Sequence, residues 1–202
     1  MAISNITPAA VTVRKAGVED VDRLCDMLSA AFSTDPVMSW CYPDPDRRRQ
    51  ILPDFFRTIV AATLPHDGID TVPGGHAGAI WLPPDAELDE EQLAADLVDA
   101  SGDDAERVVT LMELVDPEHP TDVAHQYLFA LGTRPEWQSH GLGSALLRAV
   151  LDRCDEHGTP AYLEASSEGN KRLYLRHGFE VRITVQLPDG PPVWCMWRDP
   201  RR

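Results

Sequence analysis

The stretch "QYLFALGT" (126–133) runs through "RPEWQSHGLG" (134–143) into "SALLRAVLDRCDEHG" (144–158), and this succession constrains the fold more than any other part of the chain. The first segment is an apolar run with no carboxylate, the pattern of a strand buried on both faces. Further on, Leu142, Leu146, Ala149, Val150 and Cys154 fall on one helical face, and Gly158 supplies the stop. A strand followed at once by an amphipathic helix sets that helix against a sheet, so the fold class is α/β. Between them lies a helix start, where the first backbone N–H groups lack partners and the helix dipole is positive. An anion is favoured there. Gly141 and Gly143 let the backbone approach it with no Cβ between, and Gln138, Ser139 and His140 add donors.

Two phosphate motifs do not fit. A P-loop requires Gly-x-x-x-x-Gly-Lys-Ser/Thr, and no such lysine is present. A dinucleotide fingerprint requires a third glycine where Leu146 stands. What remains is Gln-x-x-Gly-x-Gly at Gln138, Gly141 and Gly143, which is also the composition of a plain helix-capping loop.

Elsewhere, "VTVRKA" (11–16) alternates like a half-buried strand, and Val21, Leu24, Cys25, Leu28 and Phe32 recur at helical spacing. That helix should stop before Pro36. Ile51 to Val60 read as a second helix that Pro53 should delay or kink. "GIDTV" and "AGAIWL" are short strands joined by a Gly-rich turn, and two polar helices fit 87–100 and 103–115. "PAYLEAS", a short helix at 169–177, "FEVRITVQL" and "VWCMWRD" complete the chain, and the final hairpin is expected to make the sheet mixed.

Charge and composition narrow the function. The net charge of −15 argues against nucleic acid as a partner and suits a cationic small molecule. No apolar run reaches the roughly 18 residues of a membrane span, and the first residues lack the pattern of a signal peptide. Cys25, Cys41, Cys154 and Cys195 form no Cys-x-x-Cys pair, and the histidines show no metal spacing. A reduced, cytoplasmic protein without a metal is the expectation.

A second motif follows the next strand. In "NKRLYLRHGFEV" (170–181), Asn170 and Tyr174 share a helix face, and Gly178-Phe179 comes after them. With the Gln138/Gly141/Gly143 loop, this order and spacing resembles the GCN5-related N-acetyltransferases. "YLEASSEGNKRLYLRHGF", the tail "LPDGPPVWCMWRDP" and the start "VRKAGVEDVDRLCDMLSAAFSTDP" look like the puromycin N-acetyltransferase group and its actinobacterial relatives. The resemblance implies a mixed, mostly antiparallel central sheet of about seven strands with flanking helices. It implies a single domain over 1–202 with a helical insertion at about 87–116.

The resemblance also implies acetyl transfer from acetyl-CoA to the primary amine of a small molecule, an antibiotic among the candidates. A protein or peptide acceptor is one alternative, and a non-catalytic acyl-CoA-binding sensor is another. The expected partners are acetyl-CoA and the amine, with the chain a monomer or homodimer. By the same resemblance, backbone groups of Leu131, Gly132 and Thr133 hold the pantetheine arm, and Gly132, a glycine inside a strand, marks a bulge or a close approach. Gln138, Ser139, His140, Gly141, Leu142, Gly143 and Ser144 wrap the pyrophosphate, with Arg134 or Arg148 assisting. Asn170 contacts the cofactor arm, and the Tyr174 hydroxyl protonates the CoA thiolate. Some family members carry a glutamate base in the strand before the loop. That position here is Tyr127, so the carry-over fails. Glu164, where burial would strengthen a carboxylate as a base, His125 acting through water, and water alone remain open. The acceptor is expected along Phe32 to Tyr42, with Asp35, Trp40, Tyr42 and Trp81 offering a carboxylate and aromatic faces.

Overall fold

The computed structural model describes residues 11–201. Its strands are β1 (Arg14–Lys15), β2 (Ile69–Thr71), β3 (Ala77–Leu82), β4 (Gln126–Thr133), β5 (Ala161–Ala165), β6 (Glu180–Gln186) and β7 (Pro192–Arg198). They form one sheet in the order β1-β2-β3-β4-β5-β7-β6. Every neighbouring pair is antiparallel except β4 and β5, which are parallel. That parallel pair makes the sheet mixed. The C-terminal hairpin, expected to do so, is itself antiparallel and inserts β7 between β5 and β6.

The helices are α1 (Val21–Phe32), α2 (Pro36–Cys41), α3 (Pro45–Thr63), α4 (Glu90–Ser101), α5 (Ala105–Val115), α6 (Leu142–His157) and α7 (Glu168–Arg176). Leu24, Met27 and Leu28 of α1 and Leu52, Phe56 and Ile59 of α3 are buried in one core. Leu146, Leu147, Val150 and Leu151 of α6 are buried in a second core with Trp81, Leu128 and Leu163. The sheet is therefore covered on both faces. Each fully buried leucine contributes about 1.5–3 kcal/mol relative to exposure.

Several expectations change. The segment after α1 is the helix α2, because Asp35 accepts from the Val37 and Met38 amides and Pro36 takes the first helical position. Helix α3 does not start late. It begins at Pro45 under an Asp44 cap and runs through Pro53 to Thr63. The first strand shrinks to two exposed residues.

A bulge sits in β4. Ile80 pairs with Ala130 and Trp81 with Leu128, which leaves Phe129 unpaired against β3. In a regular strand, residues 128 and 130 would share a face. Here Leu128 joins the core under α6 and Ala130 joins the core under α1 and α3.

Helices α4 and α5 lie between β3 and β4 in sequence. The chain leaves the sheet after Leu82 and returns at Gln126, and Leu82 and Tyr127 are partners on one rung. Leu93, Leu97, Val108 and Val115 bury the inner faces of the pair in the α1/α3 core. The Tyr42 hydroxyl lies 2.7 Å from Ser101 Oγ, and Arg107 donates to the Trp40 carbonyl at 2.6 Å.

Candidate functional site

The loop between β4 and α6 presents unpaired donors. The Gln138 amide reaches the Pro135 carbonyl at 3.3 Å, and pairing resumes at Ala145, which donates to Gly141 at 3.0 Å. Between them, the amides of Ser139, His140, Gly141, Leu142, Gly143 and Ser144 find no protein acceptor among the described residues. Gly141 adopts φ +81° and Ser139 +64°. The space where a Gly141 Cβ would project is empty. The side chains contribute less than the backbone. His140 Nδ1 turns back to the Gln138 carbonyl at 2.8 Å, Ser144 Oγ is tied to His177 at 3.1 Å, and Leu142 packs into the core under α6.

A gap in the sheet adjoins this loop. Strand β4 pairs with β5 only at Gln126, Tyr127 and Leu128, and from Ala130 onward it pairs with β3 alone. The Arg134 amide donates to His76 at 2.9 Å, so period-two alternation turns the Leu131 and Thr133 peptide groups into the gap. Gln138 Nε2 reaches the Thr133 carbonyl from the loop side at 3.3 Å. Gly132 differs from expectation. Its peptide groups turn toward β3, and the bulge is at Phe129. A Cβ on Gly132 would stand 2.9 Å from Leu28 Cδ2 and 3.2 Å from Ala31 Cβ, so the glycine serves the close approach of α1.

Helix α7 is capped by Ser167, whose Oγ accepts from the Asn170 amide at 3.2 Å. Asn170 and Tyr174 stand on one face of α7 and both line a cavity of about 770 Å³. Asn170 Nδ2 donates to Ser166 Oγ at 3.3 Å, and Ser166 donates in turn to the Asp35 carboxylate. Burial pushes the Asp35 carboxyl above its usual range. Burial, and then the Asp35 charge, push the Tyr174 phenol up as well, so it holds its proton at neutral pH.

Glu164 lies on β5 and reaches the same cavity, with 15% of its side chain exposed. Tyr127 lies one strand over and donates its hydroxyl to Glu164 Oε2 at 2.8 Å. Burial, and then the Glu164 charge, push the Tyr127 phenol well up, which keeps it the donor. A carboxylate of β5 therefore stands beside the Tyr127 hydroxyl of β4. His119 Nδ1 stands 3.8 Å from Glu164 Oε1, and His119 Nε2 lies 3.1 Å from His125 Nε2. Sequence reasoning missed His119. Its segment has no periodicity, and only the six-residue spacing to His125 marks it.

Of the expected acceptor stretch, Phe32, Asp35, Val37, Met38 and Cys41 line the cavity. Trp40, Tyr42 and Trp81 do not. Trp40 donates to the Pro188 carbonyl at 2.9 Å, Tyr42 is buried against Ser101, and Trp81 is buried on the opposite face under α6. The far wall comes from Leu93, Leu97, Val108, Leu111 and Met112 of α4 and α5.

Comparison with known proteins agrees with this geometry. The model of the acetyltransferase (GNAT) family matches residues 76–179, about half of the chain. An uncharacterised N-acetyltransferase of Schizosaccharomyces pombe is 23% identical across 94% of this chain and 84% of its own. A mycothiol acetyltransferase of Acidimicrobium ferrooxidans is 39% identical over 69 residues, 30% of this chain and 22% of its own. Among solved structures, an acetyltransferase of Corynebacterium glutamicum described as histone acetyltransferase HPA2 and related acetyltransferase superposes with a TM-score of 0.72. The two are 28% identical, covering 96% of this chain and 98% of the other. Arylalkylamine N-acetyltransferase 2 of Aedes aegypti shares the fold at 13% identity and a TM-score of 0.65, covering 96% of this chain and 100% of its own. A strand–loop–helix unit with open amides, a β4/β5 gap, the Asn170/Tyr174 helix and a match over residues 76–179 lead to one conclusion: the chain belongs to the acetyltransferase (GNAT) family and is an acetyl-CoA-dependent N-acetyltransferase.

Proposed function

We propose that the chain acetylates the primary amine of a small molecule whose body is apolar. The observation that carries this reading is one cavity that holds Asn170, Tyr174 and Glu164 and is walled by α4 and α5. Asp35, Glu90, Asp116 and Glu164 supply negative charge for a cationic amine, and the leucines of α4 and α5 suit an apolar body. A peptide acceptor would need an open groove where those helices stand.

The amides of 139–144 would hold the donor's pyrophosphate, and Leu131, Thr133 and Asn170 its arm. Acetyl-CoA brings a thioester carbonyl whose thiol leaving group has a pKa near 8.5 when free. Glu164 takes a proton from the ammonium, which frees the lone pair that forms the C–N bond. Tyr174 gives its hydroxyl proton to the departing sulfur as the C–S bond breaks. Once the C–N bond has formed the nitrogen loses a second proton to solvent and keeps the third as the amide N–H; Glu164 releases its proton and Tyr174 takes one back, so the net release is one proton. Positioning of both partners carries much of the rate, because the thiolate needs only modest assistance.

Free-thiol release from acetyl-CoA across an amine panel tests the reading, with puromycin included because of the sequence resemblance. Release is expected with apolar primary amines. Tyr174→Phe should lower kcat by about 10²-fold with CoA affinity nearly unchanged. Tight CoA binding with no release for any amine would instead make the chain a donor-binding sensor.

A further inference from the structure

Glu164 has an unused partner in His119, and the hydrogen bonds around that histidine fix where its protons sit. His125 Nδ1 lies 2.7 Å from the Val123 carbonyl, which can only accept, so Nδ1 carries the hydrogen. Burial holds the His125 imidazole below its usual value, which keeps it neutral and leaves a lone pair on Nε2. His119 Nε2 stands 3.1 Å from that lone pair and therefore donates to it. In neutral His119 the remaining nitrogen, Nδ1, then has no hydrogen, and it faces Glu164 Oε1 at 3.8 Å. Two acceptors face each other at 3.8 Å, and a proton on either one would draw the pair into hydrogen-bond contact.

We propose that His119 receives the amine's proton from Glu164 and passes it to solvent, with His125 as a positioning residue that sets the His119 tautomer. The inference rests on the reading of Glu164 as the base. In the first transfer the ammonium N–H bond breaks and a Glu164 O–H bond forms. In the second, that O–H bond breaks and the His119 Nδ1–H bond forms, leaving a carboxylate beside an imidazolium. The side chain of His119 is 29% exposed, so the imidazolium can lose its proton to water and Glu164 is ready for the next amine. Tyr127 from β4, Tyr162 and Glu164 from β5, Asp116 from the segment before it and His125 from the turn after it all face His119.

Three variants test the relay, each checked for wild-type CoA affinity and thermal stability. His119→Gln keeps an NH₂ group that can donate to His125 but cannot take up a proton. His119→Gly leaves room for free imidazole. With an amine that turns over, His119→Gln is expected to lower kcat by about tenfold or more, with the difference narrowing on the acidic side of the pH–rate profile, where an imidazole that already carries its proton cannot accept another. His119→Gly should be equally slow and should regain turnover as imidazole is added. Wild-type kcat for His119→Gln across the profile would overturn the relay, as would a slow His119→Gly that imidazole does not restore. Glu164→Gln separates the two readings. If it turns over like wild type, the base assignment itself fails. If it is slow while His119→Gln is not, only the relay fails.

Discussion

Gly132 occupies a site where α1 comes so close to the sheet that a single methyl group would meet three side chains, those of Leu28, Ala31 and Met27. Gly132→Ala is expected to cost about 1–3 kcal/mol, read as a lower urea midpoint with an unchanged slope. The loss falls on packing, so CoA affinity should change little in the protein that remains folded. At this scale the sequence was informative in part. It marked Gly132 as a site of close approach but could not say which neighbour approaches. It marked Glu164 as an odd carboxylate among apolar residues. The Tyr127 hydroxyl that holds Glu164 and the His119 ring beside it come from a different strand and an irregular segment, and no one-dimensional pattern joins them.

Among the elements, α4 and α5 depend on a small number of polar ties. Ser101 is fully buried and its Oγ donates to the Leu97 carbonyl at 2.7 Å, so the Tyr42 hydroxyl must be the donor to Ser101. Burial pushes that phenol up to about 12, which keeps it protonated. Ser101→Ala would leave the Tyr42 hydroxyl without an acceptor, at a cost of about 1–3 kcal/mol. Because α4 walls the acceptor side, the variant should raise KM for the amine more than it weakens CoA binding, a split that steady-state kinetics on both substrates would show. The two helices were legible in the sequence, to within a few residues at their starts. Helix α2 was not, because the proline that ends α1 also begins the next helix under an Asp35 cap. The extent of α3 was obscured by Pro53, which the helix passes through. The β4/β5 gap depends on where two strands diverge, which no single segment encodes.

For the whole molecule, the response to acid is set by opposed carboxyls. Asp20 is bound by Arg14 through two hydrogen bonds of 2.7 Å, and that contact holds its carboxyl down to about 2. A lowered carboxyl stabilises the fold above its unfolded value, near 3.9, and this contribution is lost as pH falls through the folded one. Arg14→Gln should therefore be less stable than wild type at neutral pH, with the difference closing as pH falls from about 4 toward 2. The gap should be about 1 kcal/mol or less, because 41% of the Arg14 side chain is exposed. Asp35 and Asp70 act in the opposite sense. Burial raises both carboxyls, so their ionised forms cost stability once pH passes the unfolded value. Chemical denaturation of the two proteins at several pH values would show whether the difference closes in that window.

The excursion that carries α4 and α5 begins and ends on one rung of the sheet, at Leu82 and Tyr127. Its two ends are therefore held a strand's width apart by a ladder that persists whatever lies between them. The loop of open amides and the β4/β5 gap lie toward the other end of β4, which pairs with β3 independently of the excursion. Two halves of the protein are then free to change on separate schedules. On the proposed reading, the donor is held by backbone groups of β4 and of the loop after it. If the excursion walls the acceptor as proposed, it could be exchanged as a unit, provided its replacement covers Phe55 and Phe56, which the present one helps to bury. On the proposed reading, a change of amine would fall on the excursion and leave the open amides and the β4/β5 gap as they are.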